Sequence, residues 1–493
     1  MGIVQRQSFW NLIYTALGVL LGAVNKLFLY TEWLSKGEFG LIELLMGAAI
    51  VGTEFSLLGA GKITTRFFPY FKDNKEKQGK FVSFVATYVL LGFLLLVGIL
   101  LLGKDFVVEQ YAENSPLFAA HFLYLLPFCF GYASFRVLQA FSQALLKSVV
   151  PNFAFQVAMR VYHTLIIVIY YWGWMDFDAF LLAYVFGYCI PSMIIASYLI
   201  WLGKLSFSFS FDFWGSRLAK IVIIYGLFVL LSDASVVILG KVDILMVGEI
   251  LGESLAGSYG VALYMANLVT TPKRAISNIV APLIAIRYKE RNWQEIGEVY
   301  QKNSMANLLI GGLILIGIWA NIDSFFALLP KHIDGRDAAV ILGIGFLANI
   351  ATGPSRQIII VSRHFRFDLY LNVIMMVVAI VGNASLIPLY GLKGGALATA
   401  ATLVFYNIAS VAFVYAKFKV FPYTWQTLIG LGLLILILAF GLYTPMPENQ
   451  IWAIILRSMS MSLIFGIIVY GLKLLPEANQ LVDKYLGRKG MPS

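Results

Sequence analysis

Charge is scarce in this chain. Only 13% of its 493 residues are Asp, Glu, Lys or Arg, against about a quarter in an ordinary soluble domain. The rest is heavily apolar: 60% of residues are hydrophobic and the mean hydropathy is +0.82. These apolar residues gather in runs long enough to cross a bilayer, about 20 residues each, which excludes a soluble globular fold. Cysteine is nearly absent. Cys129 and Cys189 both lie inside apolar runs, where they read as small buried hydrophobes and not as a disulfide or metal pair. The four histidines (His121, His163, His332, His364) form no ligand-spaced cluster. HExxH, CxxC, GxSxG and the kinase motifs are missing. "GAGKIT" (Gly59 to Thr64) lacks the spacing and ending of a phosphate loop and follows an apolar span, so it reads as a helix exit. Any energy input must therefore come from gradients or from another chain. No small-residue cleavage site follows the first apolar run, which is expected to stay as a membrane helix.

What is present is a series of fourteen apolar segments. The first seven are approximately 8–30, 39–60, 81–102, 117–142, 152–172, 179–202 and 219–240. The second seven are approximately 255–284, 305–328, 338–361, 368–389, 394–416, 425–443 and 452–473. With the N-terminus inside, 25 of the 36 Lys and Arg residues fall in cytoplasmic segments and 6 in outside loops. That bias places both termini in the cytoplasm. The net charge of +10 is then a topology signal, and no nucleic-acid partner is expected. Outside loops stay below about 15 residues, too short for the external domain that a membrane glycan ligase or polymerase usually carries.

The chain echoes itself. "ITTRFFPYF" (Ile63 to Phe71) and "ISNIVAPLI" (Ile276 to Ile284) share Ile63/Ile276 and Pro69/Pro282 at equal spacing, each before a basic cytoplasmic loop. "EFGLIELL" and "AGSYGVAL" also hold matching places. The expected architecture is an all-α polytopic membrane protein of about fourteen transmembrane helices. Two six-helix lobes stand in a parallel pseudo-twofold repeat, a known transporter plan, with two further C-terminal helices. The expected divisions are an N-lobe at 1–203, a linker at 204–218, a C-lobe at 219–418, and helices 13 and 14 with a cytoplasmic tail at 419–493.

Ionisable residues inside spans cost about 2.5–3.5 kcal/mol on insertion scales, so they should face a cavity or a partner. Several recur at helical spacing. The first span carries Asn11, Thr15, Gly18, Gly22 and Lys26; the second carries Glu43, Gly47 and Glu54. Tyr132, Arg136, Gln139, Gln143 and Lys147 mark the fourth, and Gln156, Arg160 and His163 the fifth. In the second half, Asn267, Thr270, Arg274 and Ser277 mark the eighth span, and Asn349, Thr352 and Arg356 the tenth. Such one-sided stripes point to a hydrated cavity. Its candidate cations are Lys26, Arg136, Arg160, Lys273, Arg274 and Arg356, and its candidate ion-coupling acids are Glu54, Asp233 and Asp243. Snorkelling to headgroups is an equal reading for the arginines and the Lys273–Arg274 pair. Lys147 reads as an interface cation. Pairing with Glu54 or Glu32 is the plain alternative for Lys26, and a hydrogen bond to its neighbouring serines is that for Asp233. The excess of cations favours an anionic ligand such as a diphosphate.

"ILGKVDILMVGEILGE" (Ile238 to Glu253) reads as the outer end of the seventh helix and its turn into the eighth. Lys241, Glu249 and Glu253 are expected at an outward rim, with Asp243 lining the outer mouth of a pathway.

Three stretches carry a family resemblance. "GNASLIPLYGLKGGALATAATLVFYN" (Gly382 to Asn407) resembles the eleventh-to-twelfth helix signature of the multidrug/oligosaccharidyl-lipid/polysaccharide (MOP) exporters. "KVDILMVGEILGESLAGSYGVALYMANLV" is similar to that superfamily's seventh-to-eighth junction, with Asp243 at its recurring acid. "EFGLIELL" with "TTRFFPYFKD" resembles the first-half equivalent. The resemblance implies fourteen helices in two lobes that rock between inward- and outward-open states. It further implies a bacterial inner-membrane flippase, not an enzyme, for an undecaprenyl-diphosphate-linked oligosaccharide such as an O-antigen repeat unit. The expected partners are that lipid-linked oligosaccharide, membrane lipids, a polysaccharide polymerase and glycosyltransferases. No cofactor or resident metal is expected, with Na+ or H+ as the ion if transport is coupled. A cation-coupled multidrug antiporter and a lipid II flippase are the alternatives, with a glycan ligase or polymerase behind them.

Overall fold

The computed structural model describes residues 3–71, 74–208 and 214–485. Among them every regular element is helical, and the chain divides into two compact units, Met1–Gly257 and Ser258–Ser493. Residues 209–213 of the expected linker, and Lys72 of the basic loop after the second span, lie outside the described residues.

The first unit opens with α1 (Ile3–Ala23), a π-helical turn (Val24–Leu29) and α2 (Tyr30–Trp33). Next come α3 (Lys36–Leu57), α4 (Ala60–Phe67), α5 (Lys75–Leu102), α6 (Lys104–Ala112), α7 (Pro116–Ala120) and α8 (Leu125–Ala144). After α9 (Val149–Phe153) a second π turn, Ala154–Ala158, leads into α10 (Met159–Tyr171), α11 (Phe177–Phe186) and α12 (Cys189–Trp201). α13 (Arg217–Leu239) and α14 (Val242–Leu251) belong to this unit, and α15 (Glu253–Leu268) begins in it. Several helix starts carry side-chain caps, which satisfy orphan N–H groups of the first turn. Ser35 and Glu38 close a capping box on α3, and Asn74, Asp176 and Ser216 cap α5, α11 and α13.

α3 and α4 are joined without a loop. Leu58 (φ 48°) and Gly59 (φ 78°) are both left-handed, and the Tyr88 hydroxyl donates to the Leu58 carbonyl at 3.0 Å. Only glycine takes such a φ at no steric cost, and a β-carbon at Gly59 would lie 2.5 Å from the Gly226 carbonyl oxygen. "GAGKIT" is therefore a break between two helices and not an exit into a loop. The core beside it joins Leu57, Phe68, Phe81, Phe141 and Val222 from α3, the turn after α4, α5, α8 and α13. Leu90, Leu91, Leu94 and Leu95 of α5 stay exposed, as a lipid-facing side must.

The second unit holds the rest of α15, then α16 (Thr271–Lys289), α17 (Trp293–Ala320), α18 (Ile322–Ala327), α19 (Arg336–Ala351) and α20 (Ser355–Val361). α21 (Arg366–Tyr390), α22 (Leu392–Phe418), α23 (Trp425–Tyr443), α24 (Gln450–Gly471) and α25 (Pro476–Tyr485) complete it. Leu308, Leu309, Leu433, Leu434, Met461 and Phe465 pack α17 against α23 and α24. Ile284, Tyr300, Ile358 and Val414 form a second cluster among α16, α17, α20 and α22.

Among the described residues, eleven helices are long and apolar enough to cross a membrane. The α19–α20 pair, bent by 48° at its break, makes a twelfth if counted as one span. The three expected spans absent from the eleven are the fourth, eighth and tenth, each of which carries a polar stripe. Polar residues dilute their hydropathy, and their helices are interrupted: α7 and α8 replace the fourth, α15 and α16 the eighth, α19 and α20 the tenth.

Candidate functional site

The break between α3 and α4 opens a cavity of about 180 Å³ in the first unit. Glu54 and Leu57 come from the end of α3, Gly61, Lys62 and Thr65 from α4. α8 supplies Arg136, Gln139 and Gln143, and α13 supplies Asp233. Two ion pairs cross it. Arg136 Nη1 donates to Glu54 Oε1 at 2.9 Å, and Lys62 Nζ to Asp233 Oδ1 at 2.5 Å. Arg136 also lies over the Tyr132 ring, 5.8 Å from its centroid. Glu54 is buried and Asp233 half-buried. The structure thus gathers three of the nine expected site residues, Glu54, Arg136 and Asp233, with two glutamines of the Arg136 stripe. Asp233 pairs with Lys62 and not with its neighbouring serines. Lys62, expected within the helix exit at "GAGKIT", instead continues the broken helix into the cavity. The charged lining is two cations and two acids, so this cavity shows no cation excess.

The other residues of this unit are placed differently. Lys26 pairs with the buried Glu43 of α3 at 2.7 Å, a partner that the plain alternative of Glu54 or Glu32 did not include. The first-span stripe meets the fifth-span stripe as a packing seam. Asn11 donates to the Ser148 hydroxyl, Asn152 to the Asn11 carbonyl, and Asn25 to the Arg160 carbonyl at 3.0 Å. Arg160 lies against Gly18, where a β-carbon would come 2.5 Å from its Nη1. Interhelical hydrogen bonds and small residues of this kind hold membrane helices together. Asp243 is buried in the first turn of α14, where its carboxylate accepts from the Ile244 amide at 2.8 Å, outside the cavity lining. Lys241 stands between α13 and α14. Burial and the Lys26 charge push its ammonium below the usual lysine range, against the pull of Glu43 and Asp243. Glu253 is buried and accepts from the Phe118 amide, so it is not a freely solvated charge.

In the second unit the α19–α20 break plays a similar part. Gly353 turns the chain at φ 58°. Beyond it Arg356 grips Asp368 of α21 with both Nε and Nη2, at 3.0 and 3.1 Å. Asp368, absent from the expected set, also accepts from the Tyr406 hydroxyl at 3.1 Å and from Asn372. Before the break, Asn349 and Thr352 both bond Asn407 of α22. Lys273 reaches the Asn349 carbonyl and side-chain oxygen at 3.4 Å, and Arg274 reaches Asn267 at 3.5 Å. Lys273, Asn349 and Asn407 therefore form one network, and Arg356 with Asp368 and Tyr406 another.

Comparison with known proteins gives a consistent frame. The MatE family model matches residues 229–385. No curated protein matches the chain. Among solved structures, the lipid II flippase MurJ in an inward closed conformation superposes with a TM-score of 0.69 at 14% identity, covering 93% of this chain and 98% of MurJ. An inward-facing multidrug resistance transporter of the MATE family gives 0.62 at 15% identity, with 84% and 98% coverage. A MOP superfamily transporter from Pyrococcus furiosus Vc1, reported with a binding pocket of reverse polarity, gives 0.53 at 14% identity, with 85% and 95% coverage. This chain is therefore a multi-pass membrane protein whose residues 229–385 match the MatE family model and whose fold is that of the MurJ and MATE transporter structures.

Proposed function

We propose that the chain is a flippase for a lipid-linked oligosaccharide, its polar headgroup carried through the protein while the lipid tail stays in the bilayer. The observation that carries this reading is the lining of the α3–α4–α8–α13 cavity. Thr65, Gln139 and Gln143 offer hydroxyl and amide groups suited to sugars, beside Lys62 and Arg136. Both cations already hold carboxylates, which a diphosphate can displace because guanidinium and ammonium bind phosphate oxygens in the same way. A site for apolar drugs would instead be lined mostly by hydrophobic and aromatic side chains.

The test is genetic. With Lys62→Ala or Arg136→Ala on the chromosome and protein levels unchanged, surface polysaccharide should fall sharply. Normal polysaccharide in both strains would reject the assignment.

A second reading is favoured by Glu54 and Asp233 opening on one cavity, a pair of acids that a coupled Na+ or H+ could use in drug antiport. Loss of drug tolerance in a deletion strain whose glycans stay intact would select it.

A further inference from the structure

A second cavity, of about 440 Å³, lies in the first unit at the N-terminal end of α1 and shares no lining residue with the ion-paired site. Arg6, Gln7, Trp10 and Tyr14 of α1 line one side; Lys147, Val149 and Tyr198 are on the others. Among the described residues no carboxylate lines it. In every other respect it is a built feature. Gln7 donates to the Leu146 carbonyl at 2.6 Å and accepts from the Ser148 hydroxyl at 3.0 Å, which ties α1 to the turn before α9. That turn holds Leu146 at φ 59° and presents the exposed Lys147. Trp10 stacks on Tyr14 at 5.7 Å, and Tyr14 meets Phe153 edge-on at 5.3 Å. Phe9 and Trp10 face outward.

Two cations lining one cavity with Trp10, Tyr14 and Tyr198 at the end of a spanning helix, with no acid among the described lining residues, are what an anionic lipid headgroup needs. Trp and Tyr settle at the level of the headgroups, and basic pockets between helices on the cytoplasmic side bind acidic lipids. The positive-inside bias assigns this end of α1 to the cytoplasm. The occupant is a bilayer phospholipid and not the cargo, because among the described residues no carboxylate lines this cavity for exchange, and its rings offer a glycerol and acyl surface that is no part of the ion-paired lining.

We infer that Arg6 and Lys147, which line one cavity with Trp10, Tyr14 and Tyr198, form a binding site for the phosphate headgroup of an anionic phospholipid. The site goes beyond the transport reading and stands or falls separately from it.

Native mass spectrometry of the purified full-length protein tests it, with phosphatidylglycerol against phosphatidylcholine as probes. Phosphatidylglycerol should be retained preferentially, and Arg6→Gln or Lys147→Gln should each weaken that retention by about fivefold. Lys147→Arg should keep it. Lys147 is exposed, so its substitution leaves folding intact, which elution and melting of each variant will show. Equal retention of the two lipids, or unchanged retention in Arg6→Gln/Lys147→Gln, overturns the inference. Displacement by inorganic phosphate at matching affinity would reassign the pocket to free anions, and tighter binding of undecaprenyl phosphate through the same two cations would reassign it to the cargo. Either result also overturns it. Surface polysaccharide measured in the same variants separates this outcome from that of the transport reading.

Discussion

Asp368 shows how a single residue escapes a reading of the sequence. It sits at the start of an apolar span and looks like an interface acid, yet it is buried and takes both forks of Arg356. Nothing in the eleven residues between the two marks the pair, because the α20–α21 turn decides which faces meet. Removing the acid should be costly, since it leaves a guanidinium without its partner. With Arg356 partly exposed and screened, Asp368→Asn should lower stability by about 1–3 kcal/mol. Arg356→Met with Asp368→Leu should recover part of that loss. Thermal melting in detergent across the double-mutant cycle measures the coupling; additive effects would show that the pair is not structural. Lys62 is the complementary case. Its phase relative to Glu54 is lost at the left-handed Leu58–Gly59 step, and its acid lies 171 residues away. Arg136 and Glu54 were legible because unbroken helical spacing put each on a polar stripe.

At the scale of elements, the broken helices are what create sites. α3 to α4 and α19 to α20 each turn through left-handed glycine, and each break brings a cation to a buried or half-buried acid. Gly59→Ala should destabilise the protein by about 1–2 kcal/mol, because the alanine must hold a left-handed φ and its β-carbon meets the Gly226 carbonyl. Gly61→Ala, two residues on and with nothing within 4 Å of the added carbon, should leave the melting temperature unchanged or slightly higher. Equal melting of the two variants would show that the break carries no strain requirement. The π turns at Val24–Leu29 and Ala154–Ala158 lie on the two helices whose polar stripes form a seam. Their position follows from side-chain pairing across helices, which no periodicity along one helix can reveal.

For the molecule as a whole, the cavity in the first unit is charge-balanced, so the proposed transport requires an exchange of ion-pair partners and not only attraction of an anion. Exchanging the ends of the Arg136–Glu54 pair tests this. Arg136→Glu with Glu54→Arg should restore folding relative to either single variant but not surface polysaccharide, because the cation then projects from α3 and not from α8. Full recovery of polysaccharide would show that the pair is only structural. The all-helical membrane architecture and most of the spans were legible in the sequence by itself. Each span is a local property: a run of about 20 apolar residues commits to the bilayer whatever its neighbours do. What only the tertiary structure decided was which stripes line a cavity and which seal a seam. The first-span stripe, apparently as good as the fourth, became packing, while Glu54, Arg136 and Asp233 met around Lys62. The physical reason is that a buried charge is settled by its partner, and partners 82 and 171 residues apart are set by helix rotation and by breaks in the helical phase.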